Sequence, residues 1–118
     1  MTGVQTCALP ISNPWIRIAF LTLGILIVAI LEEVIFRGLY STILADRFQN
    51  EILVSVLAAL VFGTIHWSLG ISTMVHTALI GFVFMFGITQ TRSVLPTMAA
   101  HYAINLIAFS GIIEGGRL

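Results

Sequence analysis

From Trp15 to Ala45 the chain reads WIRIAFLTLGILIVAILEEVIFRGLYSTILA, with no proline to interrupt it. A helix rises 1.5 Å per residue, so about twenty such apolar residues span the hydrocarbon of a membrane. Further apolar stretches follow Glu51, Ile71 and Val94, separated by short polar breaks. Lipid offers no hydrogen bonds, so each stretch must satisfy its own backbone as a helix. Of the 118 residues, 58% are hydrophobic and only 8% charged, against about 25% charged in a soluble domain. A dense soluble core does not explain so large a deficit. The sequence therefore predicts an all-α fold, a polytopic transmembrane bundle of about four helices.

The breaks set the expected boundaries. Pro14 and Trp15 suit a helix start at a membrane interface, because proline is tolerated in the first turn and tryptophan favours the headgroup level. The first helix is expected to reach Ala45 before the polar DRFQN. A second is expected from about Glu51 to Trp67, closed by Gly70, and a third from about Ile71 to Ile88, ending in TQTRS. The fourth is expected from about Val94 to Ile113. Short connections make sequential neighbours antiparallel. Residues 1–12, MTGVQTCALPIS, lack the basic and long apolar regions of a signal peptide. They read as a non-native or unstructured leader, and residues 115–118 as a tail, around a domain over residues 14–114.

Charge narrows the partners. Five arginines balance five acidic residues and there is no lysine, so no basic patch exists to meet nucleic acid. The lone cysteine, Cys7, cannot form an internal disulfide. Arg37, Arg47 and Arg92 are expected on one side, Arg17 and Arg117 on the other. The positive-inside rule then puts the connections near residues 47 and 92 in the cytoplasm. The expected location is an integral membrane protein of a bacterial cytoplasmic membrane, with the lipid bilayer as its first partner.

Against that apolar background the polar groups share a depth. Counted from the turn at Arg47, Glu32 lies about 20 Å along the first helix and His66 about 22 Å along the second. Counted from Arg92, His101 and Asn105 lie about 13 and 20 Å along the fourth. Four polar groups on three helices are thus expected in one layer, where an ionisable group is tolerated only if it faces protein, water or a partner. Glu33 and Arg37 are four apart and can pair, whereas Glu32 points roughly 100° away. Arginine would hold Glu33 ionised and leave Glu32 freer to exchange a proton.

The stretches EEVIFR (32–37), FGTIH (62–66) and HYAIN (101–105), in this order on separate apolar helices, resemble the three motifs of an intramembrane peptidase family. That family includes the prenyl-protein (CAAX) endopeptidase and bacterial CAAX-protease and bacteriocin-processing relatives. The resemblance spans roughly residues 15 to 114 and includes GFVFMFGITQTRS. It implies that the chain is the core of a larger family fold, since members usually carry further spans ahead of the first motif. It implies a glutamic-type endopeptidase acting on a lipidated or membrane-tethered peptide. Glu32 would activate water with His66, His101 and Asn105 would stabilise the oxyanion, and Glu33 and Arg37 would support them. A glutamate removed from bulk water gains proton affinity and becomes a usable base. Phe62 is expected to orient His66, and Gly63 to allow close helix approach.

Other readings stay open. Glu33 with Arg37 can be purely structural, His101 with Asn105 can be a helix-helix contact, and His76 belongs to no motif and is expected to be structural or pore-facing. Glu32, His66 and His101 could instead bind zinc with a position left for water. No HExxH arrangement is present, and asparagine suits a carbonyl better than zinc, so a reaction without a cofactor is expected. The rival classes are a transporter or proton-relay subunit and a non-enzymatic immunity or scaffold protein. Self-association, and contact with further spans, are left open.

Overall fold

The computed structural model describes residues 11–110. Four helical stretches account for most of them: α1 (Pro14–Arg47), α2 (Glu51–Thr64), α3 (Ile71–Thr91) and α4 (Leu95–Ser110). No strand occurs among the described residues. The expected leader to residue 10, the tail, and the end of the fourth helix beyond Ser110 lie outside them.

Local chemistry places each boundary. Asn13 caps α1, its side-chain oxygen accepting from the backbone N–H of Trp15 at 3.0 Å and of Ile16 at 3.3 Å, with Pro14 in the first turn. The start read from Pro14 and Trp15 is therefore the start observed. Asn50 caps α2 by accepting from the Leu53 N–H at 3.0 Å, and Glu51 meets the positive end of the helix dipole. The second helix is shorter than expected and ends at Thr64. The His66 N–H turns back to the Gly63 carbonyl at 3.1 Å, a 3₁₀ turn follows over Trp67–Leu69, and Gly70 adopts φ 95°. That positive φ suits glycine. The third helix outruns its expected end and closes at Arg92, φ 56°, whose N–H bonds to the Ile88 carbonyl.

α1 is not uniform. It widens into π-helical turns at Phe20–Gly24 and Val34–Tyr40. Around the second, the Ser41 hydroxyl donates to the Arg37 carbonyl and the Thr42 hydroxyl to that of Gly38 at 2.6 Å. Hydroxyls bonded back one turn compete with the helical ladder and open it. Wide turns of this kind favour functional segments.

The chain forms two compact units, one of Glu32–Thr97 and one of the segments up to Leu31 and from Met98 on. In the first, α2 packs on α3 and on the C-terminal part of α1, with Val54, Ala58 and Met85 buried against Tyr40, Leu44 and Phe48. A Cβ on Gly63 would lie 2.7 Å from both the Met74 carbonyl and the Ala78 Cβ, so glycine sets the approach of α2 and α3. In the second unit the Tyr102 hydroxyl donates to the Leu21 carbonyl at 3.3 Å, inside a wide turn. Arg17 donates to the Ser110 carbonyl at 2.9 Å, and Phe20 meets Phe109 edge-on.

Burial is inverted relative to a soluble protein. Glu33, Arg37 and Ser55 are buried, while Leu79 and Val83 are 62% and 64% exposed. Water would penalise that surface and lipid does not. Among the described residues two helices, α1 and α3, are long and apolar enough to cross a membrane. α3 alone rises about 31 Å, a match to the hydrocarbon thickness, and α2 about 21 Å, too short to cross unaided.

Candidate functional site

The centre of the first unit is a buried cation. Arg37 sits in the wide turn of α1 and pairs with Glu33 at 3.3 Å, both side chains almost completely excluded from solvent. The Phe62 ring of α2 stacks 4.1 Å from the guanidinium carbon, and the Phe84 ring of α3 lies 5.6 Å from it. Neither Nη1 nor Nη2 has a hydrogen bond among the described residues, so the Glu33 carboxylate and two aromatic faces make the close contacts to the charge. Cation–π attraction strengthens where water is absent. Gly81 on α3 leaves the necessary space: its added Cβ would stand 3.1 Å from Phe62 and 3.4 Å from Arg37 Nη2.

Phe62 also carries the arrangement to His66. The two rings meet edge-to-face at 5.0 Å, and His66 Nδ1 lies 2.8 Å from the Phe62 carbonyl oxygen. A carbonyl only accepts, so Nδ1 bears a proton, and the tautomer with this bond leaves the Nε2 lone pair available. This bond also satisfies a carbonyl left over at the end of α2. Phe62, expected to orient His66, contacts it through both ring and carbonyl while the same ring stacks on Arg37.

Glu32 is half-buried one residue before Glu33, and both carboxylates act electrostatically on Arg37. Its level follows from the helix register. Phe36 on α1 touches Phe62 on α2 with ring centroids 5.3 Å apart. Glu32 lies one turn before Phe36, and His66 one turn after Phe62 on the neighbouring antiparallel helix. The two residues therefore share a level, although His66 stands just past the end of α2 rather than inside it.

His101 is buried and Asn105 half-buried, four apart on the part of α4 that belongs to the second unit. His76 is exposed on α3, with Nδ1 against the Ser72 carbonyl at 2.7 Å. A cleft of about 510 Å³ in the first unit runs from buried Arg37 to the exposed Asp46, Glu51 and Arg92. Among the described residues no three of His, Cys, Asp and Glu are grouped as a metal site requires.

Three contributors escaped the sequence reading: Phe36, Gly81 and Phe84. The last two lie in the stretch GFVFMFGITQTRS, where a glycine and an aromatic three residues apart on one helix face were the available signal.

A family model described as type II CAAX prenyl endopeptidase Rce1-like matches residues 13–107. No curated protein and no solved structure matches.

Proposed function

The chain belongs to the Rce1-like family of type II CAAX prenyl endopeptidases, and on that premise we propose that it is an intramembrane endopeptidase using Glu32 as general base. A membrane environment and a prenylated protein substrate follow from the family. The finer reading rests on one observation above the others: Glu33, Arg37, Phe62 and His66 form a continuous contact chain, buried as far as Phe62 and half-buried at His66, and Glu32 stands level with its end.

In the proposed reaction Glu32 takes a proton from water as the water oxygen attacks the scissile carbonyl. His66 Nε2 accepts a hydrogen bond from that water and orients it. His101 and Asn105, assigned by their motif, donate to the oxyanion of the tetrahedral intermediate, where scarce solvent makes each donor effective. Collapse breaks the C–N bond, and the proton held by Glu32 passes to the leaving amine. Glu33 and Arg37 remain an ion pair throughout. The reaction runs without a metal; the donor set Glu32, His66 and His101 is the zinc alternative. The substrate is a lipidated or membrane-tethered peptide, whose acyl or prenyl chain partitions into the bilayer beside the site. The location proposed is a bacterial cytoplasmic membrane, with the connections near residues 47 and 92 in the cytoplasm.

The test is Glu32→Gln in detergent-purified protein, assayed on a prenylated peptide with products mapped by mass spectrometry. Cleavage should fall by at least about a thousandfold while thermal unfolding is unchanged. Unaltered cleavage defeats the assignment of the base. Stoichiometric zinc whose removal stops cleavage and whose return restores it defeats the metal-free mechanism. Substrate-driven ion flux without cleavage would favour a transporter or proton relay, and neither activity would favour an immunity or scaffold role.

A further inference from the structure

α3 contributes no residue to the three motifs, yet it supplies two sides of the Arg37 enclosure. We propose that Gly81 and Phe84 are positioning residues for the reaction, holding the Glu33–Arg37 pair and, through Phe62, the His66 imidazole. The proposal rests on the peptidase reading for its effect on catalysis, but its geometric content is independent of that reading.

The contacts run in one direction. Phe84 is buried and turns its ring toward the guanidinium, 5.6 Å from its carbon. The Phe62 ring is 4.1 Å from the same carbon. The second face matters to Arg37 because neither Nη1 nor Nη2 finds a hydrogen bond among the described residues. Gly81 lies one turn before Phe84 and limits how far Phe62 can move. Adding a methyl there presses on the Phe62 ring at 3.1 Å and on Arg37 Nη2 at 3.4 Å. The Phe62 ring must then yield by a few tenths of an ångström, and it is the ring against which His66 stands.

The same helix offers an internal control. Gly87 is also an α3 glycine, but a Cβ on it would meet nothing within 4 Å. Gly81→Ala and Gly87→Ala therefore make the same chemical change with and without contact to the cation enclosure. Phe84→Leu removes the aromatic face while keeping apolar bulk, and Phe84→Tyr retains the face.

Two readouts are taken on each variant of the full chain in detergent. One is kcat and KM for cleavage of a prenylated peptide. The other is the pair of side-chain nitrogen shifts of His66 in histidine-labelled protein, assigned by their loss in His66→Gln. Gly81→Ala and Phe84→Leu should lower kcat by about three- to thirtyfold, the range of a lost cation–π contact, with KM within about twofold. Both should shift the His66 nitrogens, while Gly87→Ala and Phe84→Tyr should match the parent in both readouts. Identical His66 shifts in Gly81→Ala and Gly87→Ala overturn the proposal even if the parent cleaves peptide. A parent that cleaves nothing overturns the peptidase reading, while the shifts still decide the positioning claim. If Phe84→Leu does not fold, the two glycine variants carry the decision.

Discussion

An arginine buried in an apolar bundle is expensive to desolvate, and the Glu33 carboxylate at 3.3 Å does not offset that by its own Coulomb attraction. The Phe62 and Phe84 faces supply a second attraction without introducing another charge. The planar guanidinium can stack on a ring and face a carboxylate at once, which the compact ammonium of lysine does not do. Removing one member of a buried pair leaves the other uncompensated. Arg37→Leu is therefore expected to destabilise the chain by about 3 to 5 kcal/mol, read as a loss in thermal unfolding in detergent. Adding Glu33→Leu to that variant should restore most of the loss, because an apolar pair of similar volume suits the site. Cleavage should remain impaired in the restored double variant, since Phe62 then lacks the cation it stacks on. Full activity in that variant would show that the pair serves stability alone.

Glycines decide how closely the helices approach. At Gly63 an added Cβ would meet the Met74 carbonyl oxygen at 2.7 Å, and backbone cannot swing aside. Gly63→Ala should force α2 away from α3 and destabilise by about 1 to 3 kcal/mol, as overpacking does. Gly38 in α1 is the contrasting case, with nothing within 4 Å of its added Cβ. Gly38→Ala should be neutral or stabilising by about 0.5 to 1 kcal/mol, because a mid-helix glycine gives up more backbone freedom than alanine. Unfolding midpoints of the two variants should move in opposite directions or differ sharply, and equal shifts would contradict the packing described. The same elements explain what could be read from the residues. The start of α1 and the Glu33–Arg37 pair depend on neighbours within one turn, so spacing alone revealed them. The stop at Thr64 depends on His66 bonding back to Phe62 and on the turn into Gly70, which an apolar pattern continuing through Ile65 and Trp67 conceals. Phe84 and Gly81 needed α3 to be packed against α1 and α2, and helical spacing carries no information about that rotation.

Among the described residues Glu33, Arg37 and Ser55 are buried while many leucines, isoleucines and valines are exposed. Composition announced this inversion, because so few charges cannot clothe a water-facing surface. It did not reveal that, among the described residues, α1 and α3 are the helices long and apolar enough to cross. Nor could counting residues from the turns reveal the Phe36–Phe62 contact, which lies four residues after Glu32 and four before His66. The cleft supplies a further topological fact: Asp46, Gln49 and Glu51 line it together with Thr89 and Arg92, so both connections lie at one end of the Glu32–Thr97 unit. If α3 crosses the bilayer, its two ends face opposite compartments. In a Cys7→Ser background, Gln49→Cys and Gln90→Cys should then react with a membrane-impermeant maleimide from one side of sealed vesicles, and Ser68→Cys from the other. Arg47 and Arg92 near the first two positions favour the cytoplasmic face for them, so inverted vesicles should label those two and right-side-out vesicles Ser68→Cys. Labelling of all three from a single side would mean that α3 does not cross, and the exposed Leu79 and Val83 would then need protein rather than lipid to cover them.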